Sequence, residues 1–248
     1  MDINSQLLDF IKKSPSAFHA VGNVRKTLEA AGYERLEEGS AWHLIARGKY
    51  YVERNGSAII AFRVPKSDFN GFMIMAAHSD SPTFRIKEMP ENVSAGAYTR
   101  LNIEKYGGMI CSTWLDRPLS AAGRVMVEEN GRISARLADI DKDLLMIPSV
   151  AIHMDRSVND GKKFDANVDM LPIMGGADQE RSFAAVVAEA VGTEESNVIS
   201  MDMQLYPRTE GTVWGAQNEY ISSPRLDDLQ CVFACMNGLI SAQDGDIA

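Results

Sequence analysis

Apolar residues recur at helical spacing near the start of the sequence and predict two helices. Ser14 and Pro15 separate the two stripes and favour a helix start, with Ser14 as N-cap and Pro15 at the first helical position. Gly32 then marks the end of the second helix. The apolar positions of the two stripes are Leu7, Leu8, Phe10 and Ile11, followed by Phe18, Val21, Val24 and Leu28.

A third apolar stripe follows Pro224 and predicts a helix that covers a sheet formed by residues 1–88. Asp227 or Asp228 stands at its N-cap, where free backbone amides and the helix dipole favour a carboxylate. The apolar positions of this stripe are Leu229, Val232, Phe233, Met236, Leu239 and Ile240.

The residues between the second and third stripes are patterned as strands. Residues 49–54 and 57–64 flank the Asn-Gly pair at 55–56, which predicts a hairpin with a two-residue turn. Residues 72–77 are continuously apolar, which is typical of a strand covered on both faces in a parallel or mixed sheet. His78 follows this run at its carboxyl end, where open α/β sheets gather their ligands.

Short strand-like segments dominate from about residue 88 to residue 220, and they predict an inserted, mostly β domain. The division is therefore 1–88 and 222–248 for an α/β domain and 89–221 for the insertion. Asn130 and Gly131 mark a second hairpin. The predicted strands are 109–113, 123–128, 132–137 and 200–205, with a helix near 180–190 and a long polar loop at 155–167.

Composition narrows the class of protein and its partners. The chain has 248 residues, 45% of them hydrophobic and 24% charged, as in a globular protein without a membrane span. A net charge of −9 argues against a nucleic-acid partner. Three cysteines and an N-terminus without signal-peptide features indicate the cytoplasm. Of these, Cys231 and Cys235 are interpreted as small buried helix residues rather than metal ligands.

Two segments far apart carry candidate metal chemistry. Neutral imidazole binds zinc, so His78 is a candidate ligand, and Asp80 two residues later is placed to orient its ring. Asp227 offers a carboxylate that could bridge two ions. A hydrogen-bonded histidine at a strand end and a plain helix cap are the ordinary alternatives. His19 and His43 are interpreted as packing or surface residues, and the role of His153 is left open on these grounds.

Several motifs together resemble the aspartyl aminopeptidases, a family of cocatalytic zinc exopeptidases, and the resemblance runs through nearly the whole chain. The motifs are SPSAFHAV at 14–21, GKYY at 48–51 with RN at 54–55, AHSDSP at 77–82, STWLDR at 112–117 with AGRV at 122–125, IPSVAIH at 147–153 and SPRLD at 223–227.

The resemblance implies an α/β/α catalytic domain with an inserted dimerisation domain, a two-zinc site and a homododecamer built from dimers. It implies that His78 and Asp227 bind zinc, Asp227 as the bridge, and that Asp80 orients His78. His153 resembles a residue that reaches the neighbouring protomer's active site and contacts substrate. Asp228 stands where the family usually has Asn. Cobalt and manganese are alternative metals.

The resemblance also implies residues that this chain lacks. The family carries a Glu-Glu pair, of which one member is the general base, and a further Asp and His, on segments beyond the match. The chain is therefore interpreted as an N-terminal, inactive portion of an enzyme that removes an acidic first residue from peptides. Two alternatives stay open: a non-catalytic assembly fragment, and a hydrolase of the same fold acting on N-acyl substrates.

Overall fold

A computed structural model describes residues 2–66, 69–94 and 96–243, which fold as two compact units. The first unit comprises Met1–Ser81 and Glu210–Ala248, and the second comprises Pro82–Thr209. The second unit opens with a long strand that begins at Thr83.

The first unit opens with the two expected helices, α1 (Ile3–Lys12) and α2 (Ala17–Ala30). The predicted N-cap of α2 is wrong, because the capping residue is Ser16, whose side chain accepts from the backbone N–H of His19. Ser14 is buried instead, and its hydroxyl accepts from Asn23 Nδ2 at 3.1 Å. The predicted end is confirmed, since Gly32 follows the helix with φ +81°.

A three-stranded mixed sheet follows, with β1 (Glu34–Leu36) parallel to β2 (Lys49–Arg54) and β2 antiparallel to β3 (Ala58–Arg63). The predicted hairpin is present, and Asn55 and Gly56 take positive φ values of 53° and 70°. Its loop has three residues rather than the predicted two, because Arg54 pairs with Ala58.

The strand predicted at 72–77 is wrong. These residues form no strand, and the side chains of Phe72, Met73 and Ile74 are 80–83% exposed. A continuous apolar run becomes a covered strand only where neighbouring strands and helices bury both of its faces. No strand of the described residues pairs with it.

The second unit is built on a six-stranded antiparallel sheet with the order β7-β6-β9-β4-β5-β8, joined by one helix, α3 (Phe183–Val191). Asn130 and Gly131 form the predicted hairpin with φ values of 53° and 72°. The strand predicted at 109–113 is wrong, because Cys111–Trp114 is a short 3-10 helix. The strands are β4 (Thr83–Ser94), β5 (Tyr98–Tyr106), β6 (Leu119–Glu129), β7 (Arg132–Asp139), β8 (Ile173–Gly176) and β9 (Val198–Pro207).

The chain then returns to the first unit through the hairpin of β10 (Thr212–Trp214) and β11 (Tyr220–Ser222) and continues into α4 (Leu226–Ser241). The predicted apolar stripe of α4 packs chiefly against α1 and α2 rather than against a sheet alone. The rings of Phe10 and Phe233 lie 5.8 Å apart in this core. Within the described ranges, none of the helices has the length and apolar character that a membrane span requires.

Candidate metal centre

The segment that carries His78 is fastened within the first unit by serine side chains. The Ser79 hydroxyl donates to the carbonyl oxygen of Ser57, beside the first hairpin, at 2.9 Å. The Ser81 hydroxyl donates to the carbonyl oxygen of Asp227 at 3.1 Å. The His78 segment is therefore held against the start of α4, although 149 positions separate His78 and Asp227.

The imidazole of His78 is surrounded by three carboxylates. Its Nδ1 donates to the carbonyl oxygen and to Oδ1 of Asp80, at 3.0 and 3.1 Å. Its Nε2 faces Oδ1 of Asp227 at 3.1 Å and Oδ2 of Asp228 at 3.9 Å. Because both Asp80 oxygens can only accept, the Nδ1 proton is fixed and Nε2 keeps its lone pair in the neutral ring.

The charges around His78 favour a cation at Nε2. Partial burial lowers the pKa of His78, but the hydrogen bonds to Asp80 and the charges of Asp228 and Asp80 outweigh it, and the net pKa is raised. A proton between Nε2 and Asp227 satisfies both groups, and a metal ion could take the place of that proton.

The first turn of α4 departs from helical geometry where the carboxylates are displayed. Arg225 is the N-cap residue, in the left-handed region with φ 61°, and it caps without a side-chain hydrogen bond. The prediction of Asp227 or Asp228 as N-cap is therefore wrong. Both residues lie inside the helix bounds with non-helical dihedrals, and the peptide bond between them is cis.

The donor set fits one shared ion in part. Two ligands on a tetrahedral zinc, at bond lengths of about 2.0–2.2 Å, stand about 3.3 Å apart. The 3.1 Å between His78 Nε2 and Asp227 Oδ1 is close to this separation. Across the residues that the structure describes, however, His, Cys, Asp and Glu side chains form no group of three or more that could hold a metal ion. The site as described supplies a pair of donors and an orienting carboxylate.

His153 belongs to a different unit of the chain from these residues. It sits in an exposed turn of the second unit, whereas His78, Asp80 and Asp227 belong to the first. The structure thus brings together three of the four residues singled out from the sequence.

Two contacts of the site were not foreseen from the sequence. Asp228 accepts a hydrogen bond from the backbone N–H of His78 at 3.1 Å, and the Cys231 thiol is a second donor to the same carboxylate. The pKa of Asp228 is lowered, because the hydrogen bonds from the Cys231 thiol and from the His78 backbone N–H outweigh partial burial, which raises it. The sequence feature that could have predicted these contacts is the pair of adjacent carboxylates at 227–228, because two like charges side by side need separate partners.

Comparison with known proteins points in one direction. Residues 10–248 match the family model described as aminopeptidase I zinc metalloprotease, M18. A probable M18 family aminopeptidase 2 of Clostridium acetobutylicum is 44% identical over 98% of this chain and 58% of its own length. The chain therefore spans little more than half of that relative.

Solved structures agree with the sequence comparison. The cryo-EM structure of an Ape4 and Nbr1 complex contains a chain with a TM-score of 0.90 and 35% identity, covering 96% of this chain and 50% of that one. The mApe1 dodecamer of S. cerevesiae matches with a TM-score of 0.79 and 27% identity, over 96% and 56% of the two chains.

Proposed function

The chain belongs to the M18 family of zinc metalloproteases, and from this premise we propose that it carries part of the two-zinc site of an aminopeptidase. The observation that carries the proposal is the placement of His78 Nε2 3.1 Å from Asp227 Oδ1, with Nδ1 held by Asp80. In this proposal His78 binds one zinc, Asp227 bridges two, and Asp80 orients the histidine.

Each residue has a distinct task in the proposed hydrolysis. Bound zinc supplies a Lewis acid that polarises a peptide carbonyl and activates a water. Asp80 keeps the proton of His78 on Nδ1, so the Nε2 lone pair stays available toward Asp227. Asp227 is 87% exposed, so one of its oxygens can face a second ion while the other faces His78.

The remaining ligands and the general base are proposed to come from additional polypeptide, as the family resemblance implies. The relative from Clostridium acetobutylicum is matched over only 58% of its length, which leaves room for such residues. In this proposal the 248 residues are inactive alone, and the longer protein removes an acidic residue from the N-terminus of peptides in the cytoplasm.

Assembly is part of the same proposal. The insertion predicted at residues 89–221, most of which lies in the second unit, would serve as the dimerisation domain of a homododecamer, in line with the dodecamer formed by S. cerevesiae mApe1. His153 would contact substrate bound at a neighbouring protomer. A His153→Ala variant of the assembled protein should then raise KM for peptides and leave zinc content unchanged.

The test of the proposed activity uses a form extended to the length of the relatives. His78→Ala should lose zinc and lower peptide turnover by more than about a hundredfold, because even outer-shell changes cost up to that much. His43→Ala, in an exposed segment, is the matched control. Near-native zinc content and turnover in His78→Ala would mean that the site is misassigned.

The choice of substrate is tested with the same protein. Peptides that begin with Asp or Glu should be cleaved faster than peptides with a neutral first residue. Faster cleavage of N-acyl amino acids than of peptides would favour the same-fold amidohydrolase instead.

One alternative function has an observation in its favour. Phe72, Met73 and Ile74 expose a contiguous apolar surface, and surfaces of this kind mark interaction sites. A non-catalytic assembly fragment would use this surface and need no metal. Zinc bound to the chain with His78-dependent affinity would contradict that alternative.

A further inference from the structure

Asp228 contacts the backbone of His78, whereas its neighbour faces the ring. The backbone N–H of His78 donates to Asp228 Oδ2 at 3.1 Å. The Asp228 side chain is 18% exposed, against 87% for Asp227. The two adjacent carboxylates are therefore divided: Asp227 points outward to the imidazole edge, and Asp228 turns inward to the main chain.

The contact is one of two hydrogen bonds that the His78 segment donates to the start of α4. Asp228 accepts from the segment that carries His78, and Ser81 on that segment donates to the carbonyl oxygen of Asp227 at 3.1 Å. The Cys231 thiol of α4 also donates a hydrogen bond to the Asp228 carboxylate. Asp228 is thus held by the helix and in turn holds the histidine segment.

We propose that Asp228 is a positioning residue that fixes His78 opposite Asp227 through the main chain. The metal-related part of this inference rests on the proposed function above. The task requires an acceptor oxygen and does not require a negative charge. Asn at this position, which keeps one acceptor oxygen, should therefore replace Asp, and Ala should not.

This expectation separates positioning from direct coordination. Oδ2 of Asp228 lies 3.9 Å from His78 Nε2, so a ligand role is the nearest competing explanation. A metal ligand depends on its negative charge, so Asp228→Asn would weaken a ligand about as much as Asp228→Ala would. A positioning residue distinguishes the two variants.

The backbone contact can be measured without metal. The chain contains four histidines, so selective 15N-histidine labelling gives four backbone amide signals, and His78→Gln identifies the one that belongs to His78. Hydrogen exchange at the His78 amide should accelerate about tenfold in Asp228→Ala and stay near wild type in Asp228→Asn, since the acceptor of its hydrogen bond is lost only in the former. Unchanged exchange in Asp228→Ala would overturn the inference.

Zinc affinity supplies the second readout, measured by competition with a chromophoric chelator on the same chain. Asp228→Ala should weaken zinc binding about 10–100-fold, and Asp228→Asn should stay within about threefold of wild type. Asp160→Ala, which removes an exposed acid of the second unit, controls for net charge. Equal losses in the Asn and Ala variants would overturn positioning in favour of coordination, and no loss in either would overturn it as well.

The two proposals fail in different ways. A wild-type chain that binds zinc no better than His78→Ala would remove the proposed metal function. The exchange rates of the His78 amide would still support or overturn the backbone role of Asp228.

Discussion

Gly123 has no space for a side chain, and this makes Gly123→Ala a sharp test of the second unit. It pairs with Met203 across β6 and β9. An added Cβ would lie 2.0 Å from the carbonyl oxygen of Asp202 and 2.8 Å from Cα of Met203. Both obstacles are backbone atoms, so no side-chain rotation relieves the clash.

The expected destabilisation follows from the short distances between the added Cβ and the backbone atoms of β9. Real Cβ contacts essentially never fall under 3.0 Å, so the strands would have to separate locally by about 1 Å. A ladder hydrogen bond does not survive such a displacement, and each lost bond costs about 1 kcal/mol. Overpacking itself costs about 1–3 kcal/mol. We expect Gly123→Ala to lower the free energy of unfolding of this unit by about 2–4 kcal/mol, a large part of the total for a domain.

The assay can report on the second unit alone. Trp114 is buried in that unit, 5.1 Å from the ring of Phe84. The other two tryptophans, Trp42 and Trp214, belong to the first unit and can be replaced by Phe. Urea unfolding followed by Trp114 fluorescence should shift its midpoint down by about 1.5 M for a slope of about 2 kcal/mol/M.

Gly108→Ala is the matched control, because its Cβ would meet nothing within 4 Å. We expect this control to change stability by less than about 0.5 kcal/mol. If Gly123→Ala fell within the same margin, the close approach of β6 and β9 at this position would be refuted.

Three further predictions concern both units. Leu229→Ala removes a fully buried side chain of the first core and should cost about 2–5 kcal/mol in urea unfolding; a loss under about 1 kcal/mol would contradict this packing. Tyr51→Phe should abolish the phenol that titrates near pH 12, since burial and its hydrogen bond to Glu29 raise the pKa of Tyr51 to about 12; an unchanged ultraviolet titration would show the assignment to be wrong. The hydroxyl and amide of Ser149 lower the pKa of Asp116, so its stabilisation is present above the ordinary value of 3.8 and lost as pH falls through the lowered pKa. The loss of thermal stability in Asp116→Ala should therefore be seen at neutral pH and shrink as the pH falls below 3.8. A pH-independent difference would speak against the hydrogen bonds as its cause.

Local signals in the sequence were reliable where a few residues determine the backbone. Asn-Gly pairs at 55–56 and 130–131 form the predicted hairpins because both residues tolerate positive φ. The helices α1, α2 and α4 follow their apolar stripes because one face of each is buried. The cap of α2 was missed by two residues, since Ser14 and Ser16 are equivalent by composition and only the buried contact of Ser14 with Asn23 separates them.

Signals that depend on distant partners were less reliable. The apolar run at 72–77 was expected to be a covered strand, but burial of such a run is decided by neighbours that are not encoded in the run itself. The proximity of His78, Asp80 and Asp227 in the described structure matches the arrangement expected from the sequence. The backbone role of Asp228 could not be predicted, because it depends on the orientation of one carboxylate relative to a main-chain N–H 150 positions away.

The adjacency of the two ends of the second unit bears on the order in which the chain folds. At its start Arg85 pairs with Gln204, and the Thr83 hydroxyl donates to the carbonyl oxygen of Leu205 at 2.6 Å. Once this unit has folded, the flexible loop between His78 and Asp227 shortens from 149 residues to the residues that lie outside the Arg85–Gln204 pair. Each halving of such a closed loop recovers about 0.6 kcal/mol, and a roughly fivefold shortening therefore recovers about 1.4 kcal/mol. Folding of the second unit thus reduces the chain entropy that is lost when the His78 and Asp227 segments, which are synthesised far apart in time, come together.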